Sequence, residues 1–335
     1  MHILQDQEVN TEHWNQFLLA NDCCSPFQSH AYFTFYNSVL NLVARVFAVE
    51  ENNVLLALCV ITLQKEPGIL GFFSRRAIIY GGPLVTRGEK GETALNMLLE
   101  AINERISNKS IFIETYNFND YSDFKVCFSK NGWHYEPHLN VQIVLLNKSM
   151  AEVMSAMKYN RRREINMSLK EGAIFREAVN EAEIMDLYNI LVKLYNTRVK
   201  LPLPNFQFFW RLFLSEVGKV FVVIHNDKII GGSFCAFIPN KSIYTYYYCG
   251  LREYQKSVFP SHLAIYAVLD FGLKNNLQHV DLMGAGKPDK EYGVREFKVR
   301  FGGELFEQGR FLQVYKPLLF HSGIIGLKVL KFLKR

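Results

Sequence analysis

The sequence predicts a mixed α/β fold in which two consecutive domains each contain a mixed, largely antiparallel sheet flanked by helices. The length of 335 residues is about twice that of a common domain. Both halves of the chain repeat one order of elements: paired strands, a strand that ends in glycine, a helix and a further strand. The composition is 49% hydrophobic with 27 Phe and 17 Tyr, which excludes a wholly disordered chain.

We predict the first domain over residues 1–148. Two β-branched, apolar runs over 42–49 and 54–63 are separated by a polar tetrad of the kind that closes a hairpin. The elements predicted after this hairpin are a strand over 77–80, a helix over 89–106 and a strand over 111–116.

We predict the second domain over residues 149–317. Its first helix begins near Ser149 and continues to Gly172, a residue suited to a left-handed helix end. A capping box, Asn180 with Glu183, opens the next helix. The remaining predicted elements are strands over 220–225, 229–237 and 242–249, a helix over 261–275 and a strand over 280–283.

The last segment, residues 318–335, is predicted to be a basic amphipathic helix with Lys328, Lys331, Lys334 and Arg335 among apolar residues. This character suits an anionic membrane surface; the alternative is a terminal helix that packs on the second domain. No apolar run reaches the roughly 20 residues that cross a bilayer. The N-terminus has neither the basic leader nor the apolar run of a secretory signal, so we expect a cytoplasmic protein.

The charge and the metal-binding residue types set further limits. Lys and Arg total 38 against 32 Asp and Glu, and this net charge of +6 permits an anionic partner without requiring one. The six cysteines lack C-x-x-C spacing and the nine histidines lack the H-E-x-x-H pattern. We therefore expect no metal site. We also expect no permanently bound cofactor and a monomeric chain.

The most informative motif lies near the C-terminus. A strand ending in Asp281 and a glycine-rich turn precedes a helix that carries Phe297-Lys298, and Phe301-Gly302-Gly303 follows. This order resembles the signature of the Fem-type (FemABX) peptidoglycan interpeptide-bridge aminoacyltransferases, within the GNAT-like and BioF2-like acyltransferase superfamily. Further stretches that resemble this family are Phe27-Gln28-Ser29, Tyr80-Gly81-Gly82-Pro83 and the Arg-rich helix over 159–172.

This resemblance spans almost the whole chain and implies two tandem GNAT-like domains. It implies an N-acyltransferase that moves an aminoacyl group from aminoacyl-tRNA to an amine of a cell-envelope, peptidoglycan precursor, which is nucleotide- or lipid-linked. The enzyme would then work in the cytoplasm or at the inner face of the membrane. One alternative is an acyl-CoA-dependent N-acyltransferase that acts on an amino sugar or amino acid; the other is a non-catalytic protein that binds RNA or a membrane surface.

The resemblance also implies the catalytic residues. Lys298, held beside Phe297, would stabilise the negative charge that develops on the attacked ester carbonyl; without the resemblance it would be an exposed helix lysine. Tyr244, Tyr246 and Tyr248 alternate along one strand, so we expect them on one face of the sheet, where Tyr246 would orient substrate or relay a proton. The alternative is an aromatic core face.

Substrate-binding residues follow from the same resemblance. Arg198 matches an arginine that contacts the phosphates of the precursor, and a guanidinium suits paired phosphate oxygens. Asp281 accepts from the attacking amine or braces the turn that contains Gly284, and Tyr292 stands at the start of the Phe-Lys helix. Arg161 is expected to contact a tRNA or a diphosphate, with a solvated helix face as the alternative.

One loop departs from the pattern of acetyl-CoA-dependent GNAT domains. Those domains carry a glycine-rich loop whose N–H groups hold a pyrophosphate at a helix N-terminus. At that place this chain has Val258, where the backbone should approach closely, and Pro260, which has no N–H. This departure argues against CoA as the donor.

Overall fold

The computed structural model describes residues 1–66 and 70–333, and the chain forms two compact units. The first unit comprises Met1–His138 together with the chain from Gln308 onward, and the second comprises Leu139–Glu307. Each unit contains one mixed sheet flanked by helices. The predicted fold class is confirmed.

The sheet of the first unit has the strand order β1-β2-β3-β4-β6-β15-β7, with β5 paired to β3. Its strands are β1 (His2–Gln5), β2 (Val43–Glu51), β3 (Val54–Gln64), β4 (Arg76–Gly81), β5 (Leu84–Val85), β6 (Phe112–Asn117), β7 (His134–Glu136) and β15 (Arg310–Val314). Its helices are α1 (Thr11–Ala20), α2 (His30–Ser38), α3 (Leu70–Ser74), α4 (Glu89–Ile106), α5 (Lys125–Lys130) and α12 (Pro317–Leu333). The pairs in this sheet are antiparallel except β4 with β6.

The second unit has the strand order β14-β8-β13-β12-β11-β10-β9. Its strands are β8 (Asn140–Val144), β9 (Ile174–Glu177), β10 (Gly218–His225), β11 (Lys228–Ile238), β12 (Ser242–Gly250), β13 (His279–Gly284) and β14 (Glu304–Phe306). Its helices are α6 (Met150–Ala156), α7 (Tyr159–Lys170), α8 (Glu181–Leu194), α9 (Phe206–Leu214), α10 (Pro260–Lys274) and α11 (Gly293–Val299), with a π-helical turn over Tyr195–Val199 after α8. Only β12 and β13 are paired in parallel.

The division into units differs from the predicted boundaries at 148 and 317. Strand β8 lies inside the predicted first domain but pairs with β13 and β14 of the second unit. Strand β15 lies inside the predicted second domain but pairs with β6 and β7 of the first unit. The two sheets therefore each take a strand from the opposite side of a predicted boundary, and pairing between distant segments leaves no mark in the local sequence.

Local signals predicted most of the elements. Strands β2 and β3 form the expected hairpin, and β10, β11 and β12 are consecutive antiparallel strands. Gly172 has a φ of +90°, which confirms the left-handed helix end. The helix predicted from 149 to 172 is instead two helices, α6 and α7, because the chain is extended at Met157 and the Lys158 N–H donates to the Arg300 carbonyl.

The C-terminal segment forms helix α12 as far as Leu333, so a helix stands where one was predicted. The described part of the chain does not include residues 334 and 335 or the side chains of Lys328 and Lys331. The predicted basic face therefore lies outside the described residues. Among the described residues, no helix is both long and apolar enough to cross a membrane.

Candidate functional site

The parallel pair β12 and β13 separates halfway along its length. The first three residues of each strand are paired: Ser242 with His279, Ile243 with Val280, and Tyr244 with Asp281. The pairing ends there, although β12 continues to Gly250 and β13 continues to Gly284. Irregular register marks both strands at this point: β12 has an extra residue at Tyr246, and β13 is irregular between Asp281 and Gly284. Bulges bend strands, and β12 and β13 are not paired beyond Tyr244 and Asp281. We call this unpaired stretch of the two strands the opening between β12 and β13.

The amine of Lys298 lies at the far end of β13. Lys298 is 5% exposed, and its Nζ donates to the carbonyl oxygens of Gly284 at 2.8 Å and Met283 at 3.4 Å. Both carbonyls lie beyond the last residue of β13 that pairs with β12. Burial lowers the pKa of Lys298 to about 8, opposed by the charge of Asp281. The side chain is therefore a buried ammonium at neutral pH that can lose its proton just above it.

Asp281 supplies the negative charge beside this lysine. It is fully buried; one carboxylate oxygen accepts from Gln142 Nε2 at 2.9 Å, and the other accepts from the Met283 N–H. Burial raises the pKa of Asp281 to about 6, while these hydrogen bonds and Lys298 act in the opposite direction. Asp281 thus fixes the turn in which Met283 adopts a φ of +62°, and this turn presents the two carbonyls to Lys298.

An aromatic stack stands next to Lys298 on helix α11. The rings of Phe297 and Tyr248 are parallel within 7°, with centroids 5.5 Å apart. The Arg161 guanidinium lies 4.5 Å from the centroid of Phe297 and 4.4 Å from that of Phe301. Burial raises the pKa of Tyr248 above its usual value, so its hydroxyl remains protonated at neutral pH.

The three strand tyrosines do not share one face, contrary to the prediction. The bulge leaves Tyr246 opposite no residue of β11, which breaks the alternation. Tyr246 contacts the ring of Phe208 on α9, whereas Tyr248 contacts Phe297 on α11. Tyr244, which precedes the bulge, is buried with its ring 6.1 Å from that of His279. Of the three, Tyr248 is the tyrosine whose ring stacks on Phe297 of the Phe-Lys pair.

The remaining predicted binding residues differ in their exposure to solvent. Tyr292 is exposed at the start of α11, and its charge state affects Tyr248 electrostatically. Gly284 is exposed, and a Cβ atom there would meet nothing within 4 Å. Arg198 is exposed in the π-helical turn after α8, and the same turn carries Tyr195, whose ring lies 6.1 Å from Tyr247 of β12. Arg161, by contrast, is 3% exposed.

The loop that departs from the CoA pattern is closed by its own hydrogen bonds. The Val258 N–H donates to the Gln255 carbonyl at 3.3 Å, and the Phe259 N–H donates to Ser168 Oγ of helix α7 at 2.8 Å. Pro260, the first residue of α10, has no N–H. Three successive backbone positions at this helix start therefore offer no free donor to a pyrophosphate.

Several residues of the site carry no sequence signal. Gln142 contributes from β8, 139 positions before the aspartate that it contacts. His262 on α10 lies 3.4 Å from a Glu164 carboxylate oxygen, and burial lowers its pKa to about 3, so it is neutral. Gln28, by contrast, belongs to the predicted Phe-Gln-Ser motif and to the first unit, where it is fully buried and its side chain bonds to backbone atoms of Val60 and Tyr80. Within the described residues, no group of three or more His, Cys, Asp or Glu could hold a metal ion.

The comparison with solved structures finds this fold in other proteins. The crystal structure of FemX matches with a TM-score of 0.73 and 13% identity, over 96% of this chain and 99% of that chain. The chain has the fold of FemX. L-PGS from Bacillus licheniformis matches with a TM-score of 0.57 and 12% identity, over 97% and 98% of the two chains.

A tandem GNAT protein from the clavulanic acid biosynthesis pathway also matches, with a TM-score of 0.54 and 8% identity, over 94% of this chain and 99% of that chain. These structures confirm the predicted tandem fold. No family model and no curated protein sequence matches the chain.

Proposed function

We propose that this protein is an aminoacyltransferase that moves an aminoacyl group from aminoacyl-tRNA to an amine of a peptidoglycan precursor. The observation that carries the proposal is the buried Lys298, whose ammonium group lies at the opening between β12 and β13 and is held by two backbone carbonyls. The full-length likeness to FemX and the Fem-type motifs support the same chemistry.

Lys298 acts on the charge that forms during transfer. The uncharged amine attacks the ester carbonyl, the carbonyl oxygen becomes an oxyanion, and the ester oxygen leaves as the ribose hydroxyl once it receives the proton of the amine. An ammonium has three N–H donors, and two of those of Lys298 point to Met283 and Gly284. The third N–H donates to the oxyanion, where a fixed buried donor is most effective.

The start of helix α10 supports the choice of aminoacyl-tRNA as the donor. Acyl-CoA needs backbone N–H groups for its pyrophosphate, and Val258, Phe259 and Pro260 provide none. An aminoacyl-tRNA does not present a pyrophosphate at this position. The closed helix start therefore favours aminoacyl-tRNA over acyl-CoA.

The remaining site residues take binding roles in this proposal. Tyr248 and Phe297 line the opening beside Lys298, and Gly284 leaves room for the substrate. Arg198 binds a phosphate of the precursor from its exposed position. Tyr292 and Tyr246 contact substrate at the edges of the site, and the buried Tyr244 supports them.

The experiment that tests the proposal combines purified protein, charged tRNA and a nucleotide- or lipid-linked muropeptide. A set of tRNAs, each charged with one radiolabelled amino acid, is assayed for transfer of label to the precursor, and mass spectrometry identifies the product. We expect one or a few amino acids to be transferred. No product with any charged tRNA would overturn the proposal.

The same preparation separates the two kinds of donor. Unfolding is followed with and without CoA or acetyl-CoA, because a ligand that binds the native state raises Tm. We expect no rise in Tm at millimolar CoA. A clear rise together with acetyl transfer to an amino sugar would replace the aminoacyl-tRNA proposal by the acyl-CoA one.

A further inference from the structure

Arg161 occupies an unusual place for an arginine. It lies on helix α7, its side chain is 3% exposed, and its guanidinium carbon is 4.5 Å and 4.4 Å from the ring centroids of Phe297 and Phe301. These two rings are 5.3 Å apart at 65°, so the guanidinium is in contact with both. Arginine stacks on aromatic faces because its planar, weakly hydrated cation is attracted to the ring quadrupole.

The rings, rather than a carboxylate, are the main contacts of this cation. Glu164 is the one acid at ion-pair distance among the described residues, with its oxygen 3.8 Å from Nη1, beyond hydrogen-bonding range. The Nε and Nη1 atoms of Arg161 have no hydrogen-bond partner among the described residues. Both atoms are also shielded from solvent, so a substrate approaching the surface does not reach them.

Helix α11, which carries Lys298, needs support from outside itself. Its seven residues are too few for a stable isolated helix. On one side Arg295 donates to the carbonyls of Ala285 and Lys287 in the glycine-rich loop. On the other side the start of α7 meets the end of α11: the Lys158 N–H donates to the Arg300 carbonyl, and Arg161 contacts Phe297 and Phe301.

We infer that Arg161 is a positioning residue, which fixes helix α11 through Phe297 and Phe301 and thereby holds the Lys298 ammonium against the Met283 and Gly284 carbonyls. The inference replaces the role in substrate binding that the sequence predicts for Arg161. It deepens the proposed function and rests on it for the activity measurement alone.

The effect of Arg161 on Lys298 can be read without any substrate. Burial is what holds the pKa of Lys298 down at about 8. If α11 loosens, water reaches the ammonium, and the pKa of Lys298 rises towards its ordinary value near 10.5. The groups that act electrostatically on Arg161 are Glu164 on α7, Tyr248 on β12 and Arg300 next to α11, and the group that acts on Lys298 is Asp281 on β13. His262 on α10 is affected in turn by Arg161 and Arg300.

The test is an NMR titration of the full chain labelled with ¹³C at lysine Cε, in which the Lys298 signal is assigned by its loss in Lys298→Met. In Arg161→Met we expect the pKa of Lys298 to rise by about one unit. Arg161→Lys keeps the positive charge but not the planar group that stacks on the rings, and we expect the pKa of Lys298 to rise in this variant as well. Phe301→Leu removes one of the two rings and should give a smaller rise.

Arg300→Gln is the matched control. Arg300 is exposed, and its charge acts on both Arg161 and His262. Among the described residues, the cation that stacks on the two rings is that of Arg161. If the removal of a positive charge alone were the cause, Arg300→Gln would shift the pKa of Lys298 as much as Arg161→Met does. That result would overturn the inference. An unchanged Lys298 pKa in Arg161→Met and Phe301→Leu would overturn it as well.

Activity provides the second measurement. A displaced catalytic group lowers turnover more than it weakens binding, so we expect Arg161→Met to lower kcat about 10- to 100-fold with little change in KM. A rise in KM at constant kcat would instead indicate direct contact with substrate. Should Arg161→Met fail to fold, Arg161→Lys and Phe301→Leu supply both measurements. If the wild-type protein transfers nothing, the proposed function fails while the NMR result still decides the role of Arg161.

Discussion

The two units differ most clearly in their parallel strand pairs. In the first unit, β4 and β6 are paired over six successive positions, from Arg76–Phe112 to Gly81–Asn117, which is the whole of both strands. In the second unit, β12 and β13 are paired at three positions and then separate. The two sheets share the arrangement but not the opening.

The residues at the ends of these strands explain the difference. At the end of β4, Gly81 and the following Gly82 have φ values of +86° and +75°, and the Tyr121 hydroxyl donates to the Gly81 carbonyl at 2.9 Å and to the Pro83 carbonyl at 2.8 Å. At the end of β13, the carbonyls of Met283 and Gly284 accept from a charged lysine instead. A tyrosine closes the first arrangement, whereas the second keeps a cation beside an open strand edge.

The two units thus have similar sheets with different strand ends, one regular and one irregular. The bulges at Tyr246 and Met283 cost backbone hydrogen bonds, and the burial of Lys298 and Asp281 costs solvation. The parallel pair β4 and β6 of the first unit keeps one register over its whole length, so these strands do not bear this cost. Strain and perturbed pKa values concentrated at one site are typical of function.

The largest expected effect comes from removal of the cation in the second unit. Lys298→Met should lower kcat by about 10²- to 10³-fold, because the oxyanion loses its fixed donor. The measurement is aminoacyl transfer at saturating substrates, with circular dichroism to establish that the variant is folded. Lys290→Met is the matched control, since Lys290 is an exposed lysine in the loop that precedes α11. Equal activity of the two variants would mean that the opening is not the site of transfer.

The glycines of the two strand ends should respond in opposite ways. A Cβ at Gly82 would lie 2.5 Å from Tyr121 at a positive φ, so Gly82→Ala should lower the free energy of unfolding by about 1–3 kcal/mol. A Cβ at Gly284 would meet no protein atom within 4 Å, so Gly284→Ala should change stability by less than about 0.5 kcal/mol.

Transfer should respond in the reverse order. We expect Gly284→Ala to lower kcat/KM about tenfold, because the added methyl group takes space from the substrate. Gly82→Ala should keep its activity at temperatures where it is folded. Urea unfolding and initial rates measure the two effects, and an unaffected kcat/KM in Gly284→Ala would show that substrate does not pass this residue.

The smallest expected effect is a change in pH dependence. The charge of Asp281 raises the pKa of Lys298, so Asp281→Asn should lower it below about 8. Because the proposed mechanism uses the protonated form of Lys298, the alkaline limb of the kcat profile should move to lower pH by about one unit. Asp289→Asn, at an exposed position of the following loop, serves as the control. A limb that stays in place or moves to higher pH would contradict the role given to Asp281.

Local patterns predicted a large part of the fold. The β2–β3 hairpin, the three strands β10–β12 and the left-handed Gly172 each depend on residues close together in the chain. The Fem-type motif likewise pointed to Lys298 and Asp281, since one short stretch contains both residues. The role of this motif in transfer stays a prediction, and so do the roles of Arg198 and Tyr292.

The sequence by itself determined the kinds of elements, the tandem order and the position of the Phe-Lys motif, because turns, caps and periodicity are local. Only the tertiary structure decided that β8 and β15 cross the predicted boundaries, that a bulge turns Tyr246 away from Tyr248, and that Gln142 contacts Asp281. These features arise from hydrogen bonds and burial between segments far apart in the chain. Such contacts form only when the whole sheet assembles, so no local pattern encodes them.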